Sequence, residues 1–477
     1  LQNGSDEWSS VNEIVAHPTK GGYVYAATNG GIYMTTDGGE SWDRTSTTAA
    51  KIQDITIGAD TNGNVKIHAT SSSAYMVSVD DGLTFEDATD NEGFPSIGVR
   101  AEIKVAPSDA NYVYLANADN NGFLEGFYRS TDAGLNWEVI TKGGSDFFEP
   151  YGQPRSATNT NGQGDYDNVI GITADSPEEV FFGGVTLWKW TPEEGINKVA
   201  YNFSLADDRY YVHSDMHGIV ADTTDANLIY FTNDGGVFAS YNRGEWYTHL
   251  NAGYKTMQAY DVTVGPYGEI LAGFQDNGSH MIDIPNTKDG GVYTSSTLVS
   301  GGDGGEVDWS FVNPNAVFTA SQFGNIRRSS NRGMSFNTFY DLNAAPDETL
   351  VGVDPNFADF VTPYELWESA AGTYADTTIN QVLPSSEIQD SVRGFTANEL
   401  KEVELGYDTI ITELENESYF FAGLIGGVWV TKDALNFSVD PIWYKVTTFS
   451  SSINPITMDV APDGNTIWTG TYNGVIF

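Results

Sequence analysis

The chain contains no cysteine, so neither a disulfide framework nor a thiolate metal site can hold it together, and folding must rest on packing. Basic residues are scarce: 22 Lys and Arg stand against 65 Asp and Glu, a formal charge of −43. Such a field repels nucleic acid and anionic membranes, so no nucleic-acid partner is expected. It leaves many carboxylates suited to Ca²⁺, and it equally serves solubility alone. Long apolar runs are missing as well. The most hydrophobic stretch, residues 419–430, is interrupted by Gly423, Gly426 and Gly427 and is too short to cross a bilayer, so no direct membrane span is expected. Leu1 is not followed by a basic, apolar leader, so an export signal is expected to have been removed or to lie outside this numbering.

What the sequence does have is aromatic residues and glycine. Aromatics make up 13% of the 477 residues, and there are 51 Gly. Many short strands with tight turns between them explain both, since Tyr, Phe and Trp suit packed sheet faces and Gly suits turns needing positive φ.

A repeat runs through the chain. Thr35-Thr-Asp37-Gly-Gly39-Glu-Ser41-Trp42 is matched by Ser78-Val-Asp80-Asp-Gly82-Leu-Thr84-Phe85 and by Ser130-Thr-Asp132-Ala-Gly134-Leu-Asn136-Trp137. Weaker copies lie at Ser329-Ser-Asn331-Arg-Gly333-Met-Ser335-Phe336, Ser240-Tyr-Asn242-Arg-Gly244-Glu-Trp246 and Thr431-Lys-Asp433. The chemistry is local: the Asp side chain accepts backbone N–H groups across a hairpin, Gly takes positive φ, and the aromatic packs between sheets. Asp37, Asp80, Asp132, Asn331 and Asp433 are therefore assigned to folding. Before most copies stands a strand, a Pro or Asp turn and a second strand, as in Val15-Ala-His-Pro18, Val105-Ala-Pro107 and Val460-Ala-Pro462.

A period of roughly 40–50 residues is that of propeller blades. The signals predict an all-β fold, a β-propeller with blades at about 11–47, 51–90, 98–144, 169–212, 216–250, 259–300 and 306–341. Residues 1–345 then form a seven-bladed ring and 346–477 begin a second, partial propeller; a single ten-bladed ring is the alternative. The last copy stops after Asn473-Gly-Val-Ile-Phe477, so further blades are expected beyond it. Two insertions break the period. Residues 145–168 read as a long surface loop, and the acidic stretch 370–417 as a hairpin or short helix.

In a four-stranded blade the turns alternate between two faces. The Asp turns join strands three and four on one face; the turns from strand two to three and the links between blades share the other. On that second face lie Asn233-Asp234-Gly-Gly236 and Gln275-Asp276-Asn277-Gly278, together with the links carrying Asp167, His213-Ser-Asp215-Met-His217 and Gly301-Gly-Asp303. Asp167, His213, Asp215, His217, Asn233, Gln275 and Asn277 are the candidate ligand-binding residues. His213, Asp215 and His217 are spaced by two, which on a strand puts all three side chains on one side. That spacing suits a metal and equally a hydrogen-bond network. Aromatics near these loops, Tyr166, Trp188, Trp190, Tyr210 and Tyr211, are candidate sugar platforms.

The repeated S/T-x-D-x-G-x-S/T-W/F pattern resembles the Asp-box, or BNR repeat, of sialidases, sortilin-type receptors and xyloglucanase-type hydrolases. The set Gly162-Gln-Gly-Asp-Tyr166-Asp, Val212-His-Ser-Asp-Met-His217, Asn233-Asp-Gly-Gly-Val, Phe274-Gln-Asp-Asn-Gly278 and Gly301-Gly-Asp-Gly is similar to large secreted, glycosyl-hydrolase-like repeat proteins of bacteria with type 9 secretion. The resemblance implies an extracellular or outer-surface location. No Arg-Ile-Pro motif of a sialidase is present. Where a xyloglucanase-type D-x-G-G-x-Y segment supplies an acid, Thr28-Asn29-Gly-Gly-Ile-Tyr33 carries Asn29, and an amide cannot exchange the proton that glycoside hydrolysis needs. Asp234, Asp276 and Asp303 remain as candidate catalytic carboxylates. The expected role is a binding or scaffold module for polysaccharide or a surface protein, the alternative a glycoside hydrolase with a relocated acid pair. No cofactor is certain; Ca²⁺ is the one the carboxylates suit.

Overall fold

The computed structural model describes residues 8–46, 50–143, 148–202, 209–253, 257–282, 296–339, 358–369, 400–405, 409–414, 418–450, 453–462, 464 and 466–477. The fold is all-β, of the β-propeller kind, built from four-stranded antiparallel sheets whose strands follow chain order. The first runs Val11–Ala16, Val24–Thr28, Gly31–Thr35 and Asp43–Arg44. Seven such sheets coincide with the seven repeat ranges read from the sequence. An eighth joins Tyr364–Glu368, Ser418–Leu424, Gly427–Thr431 and Tyr444–Thr448, and Pro455–Val460 pairs with Ile467–Thr471. Of the acidic insertion, residues 370–399 lie outside the described residues, while Leu400–Leu405 and Thr409–Leu414 pair as an antiparallel hairpin.

The chain divides into two compact units, Leu1–Tyr254 with five four-stranded sheets and Lys255–Phe477 with the remainder. Within each, the first strands of successive sheets lie side by side: Val11–Ala16 against Ile52–Ala59, then Arg100–Val105, Val169–Ile172 and Met216–Ala221 in the first unit. In the second, Ala259–Val264 meets Val307–Trp309, followed by Tyr364–Glu368 and Pro455–Val460.

The core lies in slabs between neighbouring sheets, which explains the aromatic content. Tyr75, Ile103, Leu115, Tyr128 and Trp137 fill one slab, Tyr114, Phe127, Phe182 and Trp190 the next. Second strands such as Val113–Ala118 are buried at every residue because sheets cover both their faces. Outer strands are short and exposed, as in Asp43–Arg44 and Glu86–Asp87, and the charged pairs blunt edges that would otherwise recruit another chain.

The Asp turns close on themselves. In the third sheet, Asp132 Oδ1 accepts Ser130 Oγ at 2.8 Å and the Asn136 amide at 2.8 Å, while Oδ2 accepts Asn136 Nδ2 at 2.6 Å. Asp37 and Asp80 repeat the pattern with Ser41 and Thr84, and Asn331 does so through its amide with Ser335. Ala133 and Gly134 both hold positive φ there, at 59° and 82°. Hydrogen bonds from Ser41, with Thr35 helping, pull the Asp37 carboxyl well below its usual range.

Asp433 departs from this plan. Its carboxylate accepts the Ile442 amide, nine residues on, and the turn is instead gripped by buried Arg328, whose guanidinium donates to the carbonyls of Asp433, Ala434, Asn436 and Val439 at 2.8–3.1 Å.

Candidate functional site

Within the first unit, three segments meet at the ends of adjacent sheets: the stretch ending in Asp167 before the fourth sheet, the link 213–217 before the fifth, and the 233–236 turn. Arg100 fixes the first, donating to the carbonyls of Tyr166 at 2.7 Å and Asn168 at 3.2 Å. Tyr151, fully buried, holds Asn168 Oδ1 at 2.6 Å. The insertion expected as a surface loop is thus anchored inward at Phe148, Glu149 and Tyr151, all buried, and its exposed part is the stretch beyond. Gly184 allows the approach, since a Cβ there would stand 2.4 Å from the Asp167 carbonyl oxygen.

The link and the turn are joined through backbone. Met216 donates to the Gly184 carbonyl at 2.9 Å and Asp234 to the Asp215 carbonyl at 3.3 Å. Asn233 shapes the turn, its Oδ1 accepting the Gly235 amide at 3.0 Å.

The side chains follow. Asp167 is fully buried, and Gln163 Nε2 donates to its Oδ2 at 2.9 Å and reaches Asp215 Oδ1 at 3.4 Å. Asp167 Oδ1 meets no hydrogen-bond donor. Its carboxyl lies within hydrogen-bonding reach of Asp215, and burial followed by the Asp215 charge pushes it far above the usual carboxylate range. Asp215 is also raised, mainly by burial. Asp215 and Asp234 offer carboxylate oxygens within 4.8 Å of each other. His217 Nε2 pairs with Asp234 Oδ1 at 2.5 Å, and its ring meets Tyr166 edge to face at 4.9 Å.

The structure thus brings together Asp167, Asp215, His217 and Asp234, and it separates their roles. The strand alternation expected over 213–217 does not hold: the strand begins at Met216, and Asp215 takes a left-handed backbone with φ 60°, which redirects the side chains. His213 packs its ring over Gly235, with Nδ1 3.1 Å from the Ser214 carbonyl oxygen. Among the aromatics, Trp190 is in the core, Trp188 packs on Phe148, and Tyr211 packs on Phe238. Tyr210 is partly exposed and holds Arg209, whereas Tyr166 is 55% exposed beside His217 and Asp234. Gln163 and Arg100 were not singled out by sequence. An Arg opening a strand in so acidic a chain was the available signal.

In the second unit, Gln275, Asp276 and Asn277 form the turn before Gly278–Ile282. Tyr260 OH donates to Gln275 Oε1 at 2.8 Å, and Asn277 Nδ2 to the Gln275 carbonyl at 3.0 Å. Asp303 Oδ1 accepts the Asp276 amide at 2.9 Å, which gives Asp303 a structural engagement. Asn29, at the place of the xyloglucanase-type acid, bonds Ser9 Oγ at 3.0 Å.

No family model matches the chain. It is similar to a xyloglucanase of Hypocrea jecorina (strain QM6a), 29% identical over 110 residues that make up 22% of this chain and 13% of that protein, so the match spans a small part of the curated relative. The solved structures it resembles include the GH74 enzyme of Niastella koreensis, at 12% identity and a TM-score of 0.38 over 96% of this chain and 68% of that one. PorZ, a surface component of the type-IX secretion system of Porphyromonas gingivalis, aligns at 11% identity and a TM-score of 0.37 over 98% and 67%. YCF48 from Cyanidioschyzon merolae aligns at 13% and 0.35 over 69% and 95%.

Proposed function

We propose that the chain is a secreted or surface-displayed β-propeller module that binds polysaccharide through the first unit, at the edge bearing Tyr166, His217 and Asp234. The observation that carries this reading is the exposed Tyr166 ring, held edge-on by His217 and flanked by the polar groups of Asp234 and Gln163. A sugar ring stacks on such a face while its hydroxyls donate to carboxylates and accept from amides. The short similarity to a xyloglucanase supports glycan as the ligand class. Residues 1–345 as one ring, with 346–477 opening a second, belong to the same proposal.

A glycoside hydrolase with a relocated carboxylate pair is the alternative reading. Asp167 is fully buried, away from any substrate at this edge.

The test is retention of the purified chain on xyloglucan and other plant, algal and bacterial polysaccharides, with product analysis. Retention without released sugar is expected, weakened about tenfold, or ~1.4 kcal/mol, by Tyr166→Ala. Unchanged retention in that variant defeats the assignment of the edge, and released sugar revives the hydrolase alternative.

A further inference from the structure

We propose that Tyr241 and Trp246 form a second glycan-binding surface on the first unit, on the repeat turn of its fifth sheet. It shares a ligand class with the edge at Tyr166 but no residue. The two lie at opposite ends of the strand Gly236–Ser240, so either assignment can fail alone.

The repeat supplies the first observation. In four copies the seventh side chain returns to the third: Ser41 to Asp37, Thr84 to Asp80, Asn136 to Asp132 and Ser335 to Asn331. The eighth residue packs between sheets, as buried Trp137 does. In the fifth sheet the backbone bonds of the turn survive, Gly244 donating to Ser240 Oγ at 2.8 Å and the Trp246 amide to Asn242 Oδ1 at 3.1 Å. Tyr247 fills the eighth place, buried and edge to face with Phe231 at 5.4 Å. Trp246 stands seventh. Its indole makes no returning bond, and Asn242 Nδ2 turns instead to Glu245 Oε2 at 3.4 Å. Since Tyr247 already packs between the sheets, Trp246 is surplus to the fold, and the turn forgoes a hydrogen bond to hold its ring in water.

The exposed rings are paired on a rigid base. Tyr241 is 49% and Trp246 37% exposed, with centroids 6.5 Å apart and planes tilted by 42°. Arg243, at φ 62°, pins the turn: its amide donates to the Asn227 carbonyl at 3.1 Å and its guanidinium to Asp175 and Glu179 at 3.0 Å. A platform already ordered loses little entropy on binding. The occupant is a neutral polysaccharide. Sugar C–H faces lie on aromatic rings, and the exposed Glu245 carboxylate between them in sequence accepts from hydroxyls. An anionic polymer is repelled by a chain of charge −43 whose cation at this turn, Arg243, is paired with two acids.

The test is affinity electrophoresis of the full chain through gels containing xyloglucan, mannan or mixed-linkage β-glucan, with thermal melting alongside. Trp246→Ser restores a residue of the type the repeat carries at this place. It is expected to melt at or above the wild-type temperature while weakening retardation at least about fivefold. Tyr241→Ala should weaken it in the same gels, and Trp246→Ser combined with Tyr166→Ala should bind less than either alone. Loss in Tyr166→Ala with none in Trp246→Ser keeps the edge and removes this surface, as does a wild type that no gel retards. A lower melting temperature in Trp246→Ser shows that the ring serves the fold and overturns the surface too. Self-association that this variant abolishes assigns the rings to a second copy of the chain instead.

Discussion

The first strands of the two units place charge in the same topological position and solve it differently. In the first unit Glu13, Asp54 and Glu102 are all pushed up, chiefly by burial, but Arg100 and Lys104 stand among them and are themselves raised by these acids. In the second unit the groups acting on Glu306 are acids alone: Asp261, Glu365 and Asp308. Burial and these neighbours push Glu306 up to about 9, and burial with Glu365 pushes Asp308 up to about 8. In one row bases stand among the acids; in the other the acids raise one another. The propeller scaffold therefore leaves the charge of its first strands open, as long as something neutralises it.

The largest break in this comparison is expected from Lys104→Met. Asp54 is buried and already accepts the Ile55 and Ile103 amides at 2.7 Å, so it cannot turn to solvent. Lys104 and Arg100 both oppose the Asp54 charge, so loss of Lys104 should cost about 2–3 kcal/mol in urea unfolding at pH 7, and a loss below ~1 kcal/mol would mean Lys104 is not the main compensating charge.

A smaller effect is expected in the pH dependence of the second unit. Glu306 has a folded pKa above its unfolded value near 4.5, so its stabilising contribution is complete below about 4.5 and is lost as pH rises towards 9. Thermal melts at pH 5 and pH 6 should show the second unit weakening by up to about 1.4 kcal/mol over that one pH unit, with a flatter response in Glu306→Gln. Equal slopes in wild type and variant would mean that protons do not hold this row together.

The smallest effect concerns the turns, where the units agree. Asp132→Ala strips several hydrogen bonds from an exposed turn and should cost about 1 kcal/mol, while Asn331→Asp keeps the acceptor and should change unfolding by under ~0.5 kcal/mol. A larger penalty for Asn331→Asp would show that the amide donor to Ser335 is essential.

Sheets and turns were legible in the sequence because their causes are local. Thr35 to Trp42 contains every group its turn needs, so spacing alone reveals it. The gathering of 167, 215 and 234 at one edge was legible from blade topology. The pairing was not: Gln163 reaches Asp215 across 52 positions, and the left-handed backbone at Asp215 cancels the alternation that groups it with His213 and His217. The anchoring of 145–168 was hidden too, since Tyr151 and Asn168 declare their bond only once folded.

Arg328 shows how a repeat that has lost its own fastening comes to depend on its neighbour. The Thr431-Lys-Asp433 copy has drifted, and the sheet before it supplies a clamp on four carbonyls. The two sheets are coupled through that one side chain: removing Arg328 would release a turn in the next sheet, whereas the Asp132 turn keeps its bonds within itself.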